Sequence, residues 1–283
     1  MSTSKIAFEV TREDDGLRLD QVVPRHVAGL SRRKARAVID VGGVFVDRAR
    51  VKVAGRVVRA GQKVEVNVGG AVERTETVPA ALVHLDDQII IVDKPAGLVT
   101  APTPESDRGD LLDQLQRQYG EVYLVHRIDL PTSGLLVFAR TREANKQLGE
   151  AFKAHDVERE YRAVVAGTIA DQTIDRPIGD RRAVTHVRAL EALPGATLVA
   201  CTLETGRTHQ IRIHLAGLAH PVLGDTQHGG ELARTFFPRP PRLALHAAVL
   251  GFAHPATGQR VRWERAVPPD LDAWLTRLRT STP

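Results

Sequence analysis

The 283-residue chain is predicted to be an α+β protein. It divides into a small αβ domain over residues 1–70, a linker over 71–80, and a body over 81–283 built on a mixed, largely antiparallel sheet. Three observations lead to this reading. Strand-like runs such as "QIIIVDKP", "GLLVFAR", "YRAVVAG" and "ATLVACTL" follow one another with few helices between them, which argues against a doubly wound parallel sheet. The stretch "GGAVERTETVPA" has no periodicity and carries Gly, Pro and charges, as linkers do. The charge is also uneven. Residues 1–70 hold 14 Lys and Arg against 8 Asp and Glu, the remainder 25 against 26, so the basic excess lies entirely in the first quarter.

In that first quarter, "LRLDQVVPRHV" and "SRRKARAVIDVGG" have helical spacing, the second opening at Ser31 as an N-cap. "GVFVDRARV" and "QKVEVNV" alternate apolar and polar residues as half-buried strands do. Arg32 and Arg36 lie one turn apart on the second helix, and Arg33 neighbours Arg36. Such a face either grips a phosphate backbone or is simply solvated. In the body, "REANKQLGEAFKAH" reads as a helix, and "HGGELARTFFPRPPR" (228–242) as a long exposed loop whose arginines and phenylalanines could meet RNA or tuck into the surface.

Hydrophobic content of 42% and charged content of 26% are those of an ordinary globular protein. The single cysteine, Cys201, sits in an apolar run; it excludes an internal disulfide and reads as a small core residue. No apolar run approaches the roughly 18 residues a membrane span needs, and the first residues lack a secretory pattern. A soluble, cytoplasmic protein is expected, without a membrane partner.

Several chemistries are disfavoured by pattern. His209 and His214, five positions apart in "THQIRIHLAGL", point about 140° apart on a helix, so they do not share a zinc-binding face. No phosphate-binding glycine loop is present, and Ser133 lacks a nucleophile elbow. What remains is "VHRIDLPTSGLLVFAR" (125–140), where Asp129 stands between two strand-like segments. An aspartate there either caps the Pro-Thr-Ser-Gly turn or serves as a nucleophile.

Five segments decide the matter by resemblance. "DKPAGLVTAP", "HRIDLPTSGLLVFAR", "EREYRAVVAG", "LETGRTHQIRIHLAGLAHPVLGD" and "LALHAAVLGFAHP" occur in an order and spacing that resemble the RluA-type family of RNA pseudouridine synthases, from about residue 85 to the end. The family fold is the pseudouridine synthase fold, and its reaction detaches uracil from ribose, turns it and reattaches it through carbon 5, with no cofactor and no metal. The resemblance implies that Asp129 is the catalytic aspartate, acting either on the anomeric carbon or by removing a sugar proton. It implies that Arg212 pairs with Asp129, that Tyr161 packs on the target base and handles the carbon-5 proton, and that Arg127 helps to hold the nucleotide out of its helix. Lys94, Arg207 and His209 enter as further RNA-binding residues; Lys94 reads equally as a strand-end charge.

Residues 16–68 resemble the small RNA-binding module named after the fourth small-subunit ribosomal protein. There the resemblance implies that Arg32, Arg33 and Arg36 contact structured RNA. With this module, ribosomal RNA is the first expectation for the substrate and transfer RNA the second; DNA is not expected, and the chain is expected to act as a monomer. Departures from the family pattern are Leu130-Pro131 after the aspartate, Arg159 in place of a frequent lysine, His228 in place of a usual tyrosine, and a shortened 174–188 segment.

Overall fold

The structure, a computed structural model, describes residues 5–40, 42–67, 79–101 and 110–281. Most of the expected linker, residues 71–78, lies outside them. The chain groups into two compact units: Met1–Thr77 with Ala101–Gln114, and Val78–Thr100 with Leu115–Pro283.

In the first unit, strand β1 (Lys5–Glu9) precedes helices α1 (Leu19–His26) and α2 (Arg32–Asp40). The Ser31 hydroxyl accepts the Lys34 N–H at 3.3 Å, which caps α2 as the sequence suggests. Each helix buries one stripe: Leu19, Val22 and Val23 on α1, Ala35 and Ile39 on α2. Strands β2 (Val44–Val46) and β3 (Ala49–Val51) form a hairpin whose turn residues, Asp47 and Arg48, both have positive φ, the backbone that matches strand twist. With β4 (Lys63–Asn67) the strands make an antiparallel sheet in the order β1-β4-β2-β3. Val44, Val46, Val64 and Val66 point from it onto the two helices' apolar stripes.

The second unit begins with β5 (Ala81–Leu85) and β6 (Ile89–Lys94). Helix α3 (Leu111–Tyr119), whose residues through Gln114 are grouped with the first unit, is followed by β7 (Tyr123–Leu124), β8 (Ser133–Ala139) and α4 (Arg142–Lys153). Then follow β9 (Glu158–Ala166), β10 (Gln172–Asp175), β11 (Val184–Leu193) and β12 (Ala196–Leu203). The chain ends with α5 (Gln210–Ala216), α6 (Gly230–Thr235), β13 (Leu245–Ala253), β14 (Arg260–Glu264) and α7 (Pro269–Thr280).

Among the described residues, the sheet runs β10-β11-β12-β9-β13-β8-β6-β5, with β14 on β13 and β7 on β8. Its pairings are antiparallel except β8 with β13, which makes the sheet mixed and largely antiparallel. The central strand β8, "SGLLVFA", is buried along its whole length, which explains its continuous apolar run. One face of the sheet packs Ile89, Ile91, Leu135 and Val137 against Ala144 and Leu148 of α4. Cys201 lies in the interior of β12, where burial pushes its thiol up to about 12, as befits a core residue.

Two segments depart from expectation or refine it. The stretch 228–242 is not a simple exposed loop. It contains α6, buries Ala233, sets Phe236 against Trp274, and gives its Pro238 carbonyl to the Trp274 Nε1–H at 2.8 Å. The apolar side of α7 receives it, and the run's Pro and Gly content hid that. Phe237 alone of the pair points outward, 87% exposed. The shortened 174–188 segment is a tight β10–β11 hairpin closed by reciprocal backbone bonds between Ile178 and Arg181. Among the described residues, no helix is long and apolar enough to cross a membrane.

The parallel seam sets His246 opposite Ser133 and Ala247 opposite Gly134. Gly134 has φ of +120°, and a Cβ there would lie 2.3 Å from the Ala247 carbonyl oxygen. The Thr-Ser-Gly sequence therefore ends in glycine because two backbones meet at that point. Gly134→Ala is expected to lower stability by about 3 kcal/mol, combining backbone strain and overlap, read as a fall in the urea midpoint at pH 7.

Candidate active site

Strands β6 and β8 pair with Lys94 opposite Gly134, so the segments beyond Lys94 and before Ser133 leave the sheet side by side. Polar bonds join them. Gly97 N–H donates to the Leu130 carbonyl at 2.8 Å, and the Thr100 hydroxyl donates to the Ile128 carbonyl at 3.0 Å. Thr132 N–H closes the turn onto the Asp129 carbonyl at 3.0 Å. The peptide units on both sides of Asp129 are thus held, while its side chain stays 23% exposed.

Lys94 belongs to this framework and not to the surface. It is fully buried, and its Nζ donates to the carbonyls of Pro95 at 2.9 Å, Leu98 at 2.8 Å and Leu130 at 3.4 Å. Burial pulls its ammonium down to about 7, against the attraction of the Asp129 charge. Of the two readings of Lys94, its surroundings favour the strand-end charge over the phosphate contact: it closes β6, is buried, and its Nζ partners are carbonyls inside the fold.

Arg212 comes from the other side, on α5. The motif that carries it is tied down by Gln210, whose Nε2 donates to the Val184 carbonyl and the Thr185 hydroxyl, at 2.9 and 3.1 Å. Its Oε1 accepts from Arg207 N–H and the Thr205 hydroxyl, at 3.0 and 2.7 Å. His209, the N-cap, adopts left-handed backbone with φ of 56°, a conformation that costs a residue other than glycine about 1 kcal/mol. This kink starts the helix at Gln210 and aims Arg212 back at the Asp129 turn.

The guanidinium of Arg212, 4% exposed, bridges two carboxylates. Nη1 donates to Asp129 Oδ2 at 3.1 Å, while Nε and Nη2 form a fork on Asp225 at 2.7 and 2.8 Å. Nη2 also reaches Gln227 Oε1 at 3.3 Å. Asp225 is buried, which alone would raise its carboxyl; the Arg212 bonds and the N–H groups of His228 and Gln227 overcome this and hold it below the usual range. Arg212 itself is raised: burial opposes its charge, and Asp225 and Asp129 outweigh that. Gly224, with φ of +79°, permits the approach, since a Cβ there would meet the Arg242 carbonyl oxygen at 2.2 Å. Asp225 escaped the sequence reading, although the Gly-Asp pair closing "LAGLAHPVLGD" was the available signal.

Tyr161 lies on β9, opposite Cys201 of β12 and Ala247 of β13. Burial pushes its hydroxyl above the ordinary value, reinforced by the Asp129 charge and opposed by Arg159, so it remains a phenol at neutral pH. Arg159 is itself buried, with Nη2 near the carbonyls of Leu203 and Glu204 and its guanidinium over the Phe152 ring. His126 stacks on the same ring, and its Nε2 accepts the Val137 N–H at 3.2 Å. Burial, with Arg159 nearby, pushes it down to about 3, as a hydrogen-bond acceptor requires.

Of the remaining expected residues, Arg127 is exposed and has no hydrogen bond or ion pair with another described residue. Arg207 donates through Nε to the Arg182 carbonyl at 3.0 Å. His209 and His214 have separate partners: His209 faces His228 and Asp129, whereas His214 bonds Thr185 and the Arg176 carbonyl. In the first unit, Arg32 and Arg36 are half-exposed and converge with Arg18 on buried Asp20, at 3.3, 3.5 and 3.1 Å. Arg33 lies on the same helix.

Comparison with known proteins identifies the family. Residues 88–217 match the family model described as RNA pseudouridylate synthase. The chain is 37% identical to the ribosomal large subunit pseudouridine synthase D of Nitrosomonas europaea, across 96% of this chain and 88% of that one. It is 34% identical to the protein of that name in Pseudomonas aeruginosa, across 96% and 95%. Among solved structures, human RNA pseudouridylate synthase domain containing 4 shares the fold, with a TM-score of 0.60 and 23% identity over 72% of this chain and 94% of that one. The chain belongs to the RluA-type family of RNA pseudouridine synthases and is an isomerase.

Arg212→Met would leave two carboxylates facing each other without their shared cation. It is expected to lower stability by about 3 kcal/mol, the scale for breaking a buried ion pair, measured by urea denaturation at neutral pH.

Proposed function

We propose that this chain isomerises uridine in large-subunit ribosomal RNA, with Asp129 as the reacting carboxylate and no cofactor. The observation that carries this reading is the Asp129–Arg212 pair, 3.1 Å apart, with the aspartate still open to solvent and its partner buried. A guanidinium held from behind by Asp225 orients one carboxylate oxygen and leaves the other for the ribose. That carboxylate either attacks the anomeric carbon or removes a sugar proton, freeing uracil to turn and rejoin through carbon 5. The names of the two bacterial relatives support large-subunit ribosomal RNA as the substrate.

A uridine within a helix is inaccessible, so the nucleotide is extruded at a cost of a few kcal/mol. Exposed Arg127, two residues before Asp129, is suited to hold the displaced backbone. Tyr161 enters as a phenol, packing on the base and assisting departure of the carbon-5 proton. The first unit supplies affinity: it acts as a module like that of the fourth small-subunit ribosomal protein, through the arginines on α2.

Asp129→Asn is expected to abolish pseudouridine formation while RNA affinity stays within about twofold, because a neutral isostere removes the reacting anion and no phosphate contact. Pseudouridine mapping of ribosomal RNA from cells with and without the protein, together with turnover on the corresponding transcript, tests both site and substrate. Arg32→Gln with Arg36→Gln is expected to weaken RNA binding and flatten the slope of log affinity against log salt by about one for each phosphate left without its arginine. Binding titrations at several salt concentrations measure this.

A further inference from the structure

His209 and His228 form a pair whose function the Asp129–Arg212 bridge does not explain. His209 Nδ1 and His228 Nε2 are 2.8 Å apart, and the rings meet edge to face at 69°. On its far side, His209 Nε2 lies 3.8 Å from Asp129 Oδ1. Both residues are anchored: His209 by its left-handed N-cap backbone, His228 by its N–H, which donates to Asp225 Oδ1 at 3.0 Å.

Two neutral imidazoles joined by one hydrogen bond share a single proton in it, so their tautomers are correlated. If His209 Nδ1 carried that proton, Nε2 would turn a lone pair toward the Asp129 carboxylate. If His228 Nε2 carries it, His209 accepts at Nδ1 and presents Nε2–H to Asp129. The negative charge on Asp129 selects the second arrangement. We propose that His228 is a positioning residue that fixes His209 as the Nε2–H tautomer, setting a weak donor against Asp129 Oδ1.

This inference rests on the reading of Asp129 as the reacting carboxylate, and it names which oxygen reacts. Oδ2 is bonded to Arg212 at 3.1 Å, whereas Oδ1 faces His209 at a distance too long for a full hydrogen bond. Oδ1 is therefore steered and still available. The charged groups facing the pair are Asp129, Arg212 and Asp225. Burial is the main influence that lowers His209, joined by Arg212 and His228, while Asp129 and Asp225 pull the other way; the net effect favours the neutral ring that the arrangement requires.

The test compares His228→Phe, which removes the donor, with His228→Gln, whose amide N–H₂ restores one near the Nε2 position. Turnover on the RNA substrate is expected to fall about tenfold in His228→Phe, with RNA affinity unchanged, and to recover largely in His228→Gln. Nitrogen-15 spectra should show His209 as the Nε2–H tautomer in the unaltered protein and in His228→Gln. An Nδ1–H tautomer of His209 in the unaltered protein overturns the proposal, even if His228→Phe fails to fold. Equal turnover in His228→Phe and the unaltered protein, or an equal loss in both variants, also overturns it. Asp129→Asn is assayed in parallel: turnover there removes the premise, whereas its inactivity confines any failure to His228.

Discussion

One buried guanidinium organises the candidate site of this molecule. Arg212 carries a positive charge into a region from which water is largely excluded, and that is tolerable because its three nitrogens all donate, to Asp129, Asp225 and Gln227. Asp225 neutralises the arginine and is itself fixed by two backbone N–H groups. Asp129 completes the bridge from the opposite loop. The short α5, the glycine before Asp225 and the left-handed His209 all follow from the need to bring these three side chains together.

The scaffold beneath is equally specific. Lys94, Gly97 and Thr100 fasten the carbonyls on either side of Asp129, so the loop that carries it is tied to the sheet. The close parallel meeting of β8 and β13 fixes where that loop ends. Support of this kind would suit the proposed reaction, in which a carboxylate must approach the ribose at a set angle.

Much of this was legible in the residues. Period-two alternation placed β4 and period-3.6 spacing placed α1, α2 and α4, because each has one wet and one dry face, whereas β9 and β12 showed as apolar runs because most of their residues are buried. The family resemblance carried by two motif blocks implied that Asp129 and Arg212 pair, and they lie together although 83 positions separate them. Three things were less legible. Lys94 read equally as a phosphate contact or a strand-end charge, since nothing local reveals that three carbonyls converge on it. Asp225 and Gln210 act through long-range bonds with no periodic trace. The helix at Gly230–Thr235 was obscured by glycines before it and prolines after it, and its anchor, Trp274, comes nearly forty residues later.

The arrangement around Asp20 has a consequence for how the first unit would meet a polyanion. Arg18, Arg32 and Arg36 already converge on one buried carboxylate, so much of the rotamer freedom that a long side chain forfeits on docking has been surrendered during folding. Such a surface behaves less like a loose cloud of charge and more like a stiff comb. Were the unit to bind nucleic acid as proposed, these arginines would answer to the spacing of the phosphates as well as to their charge.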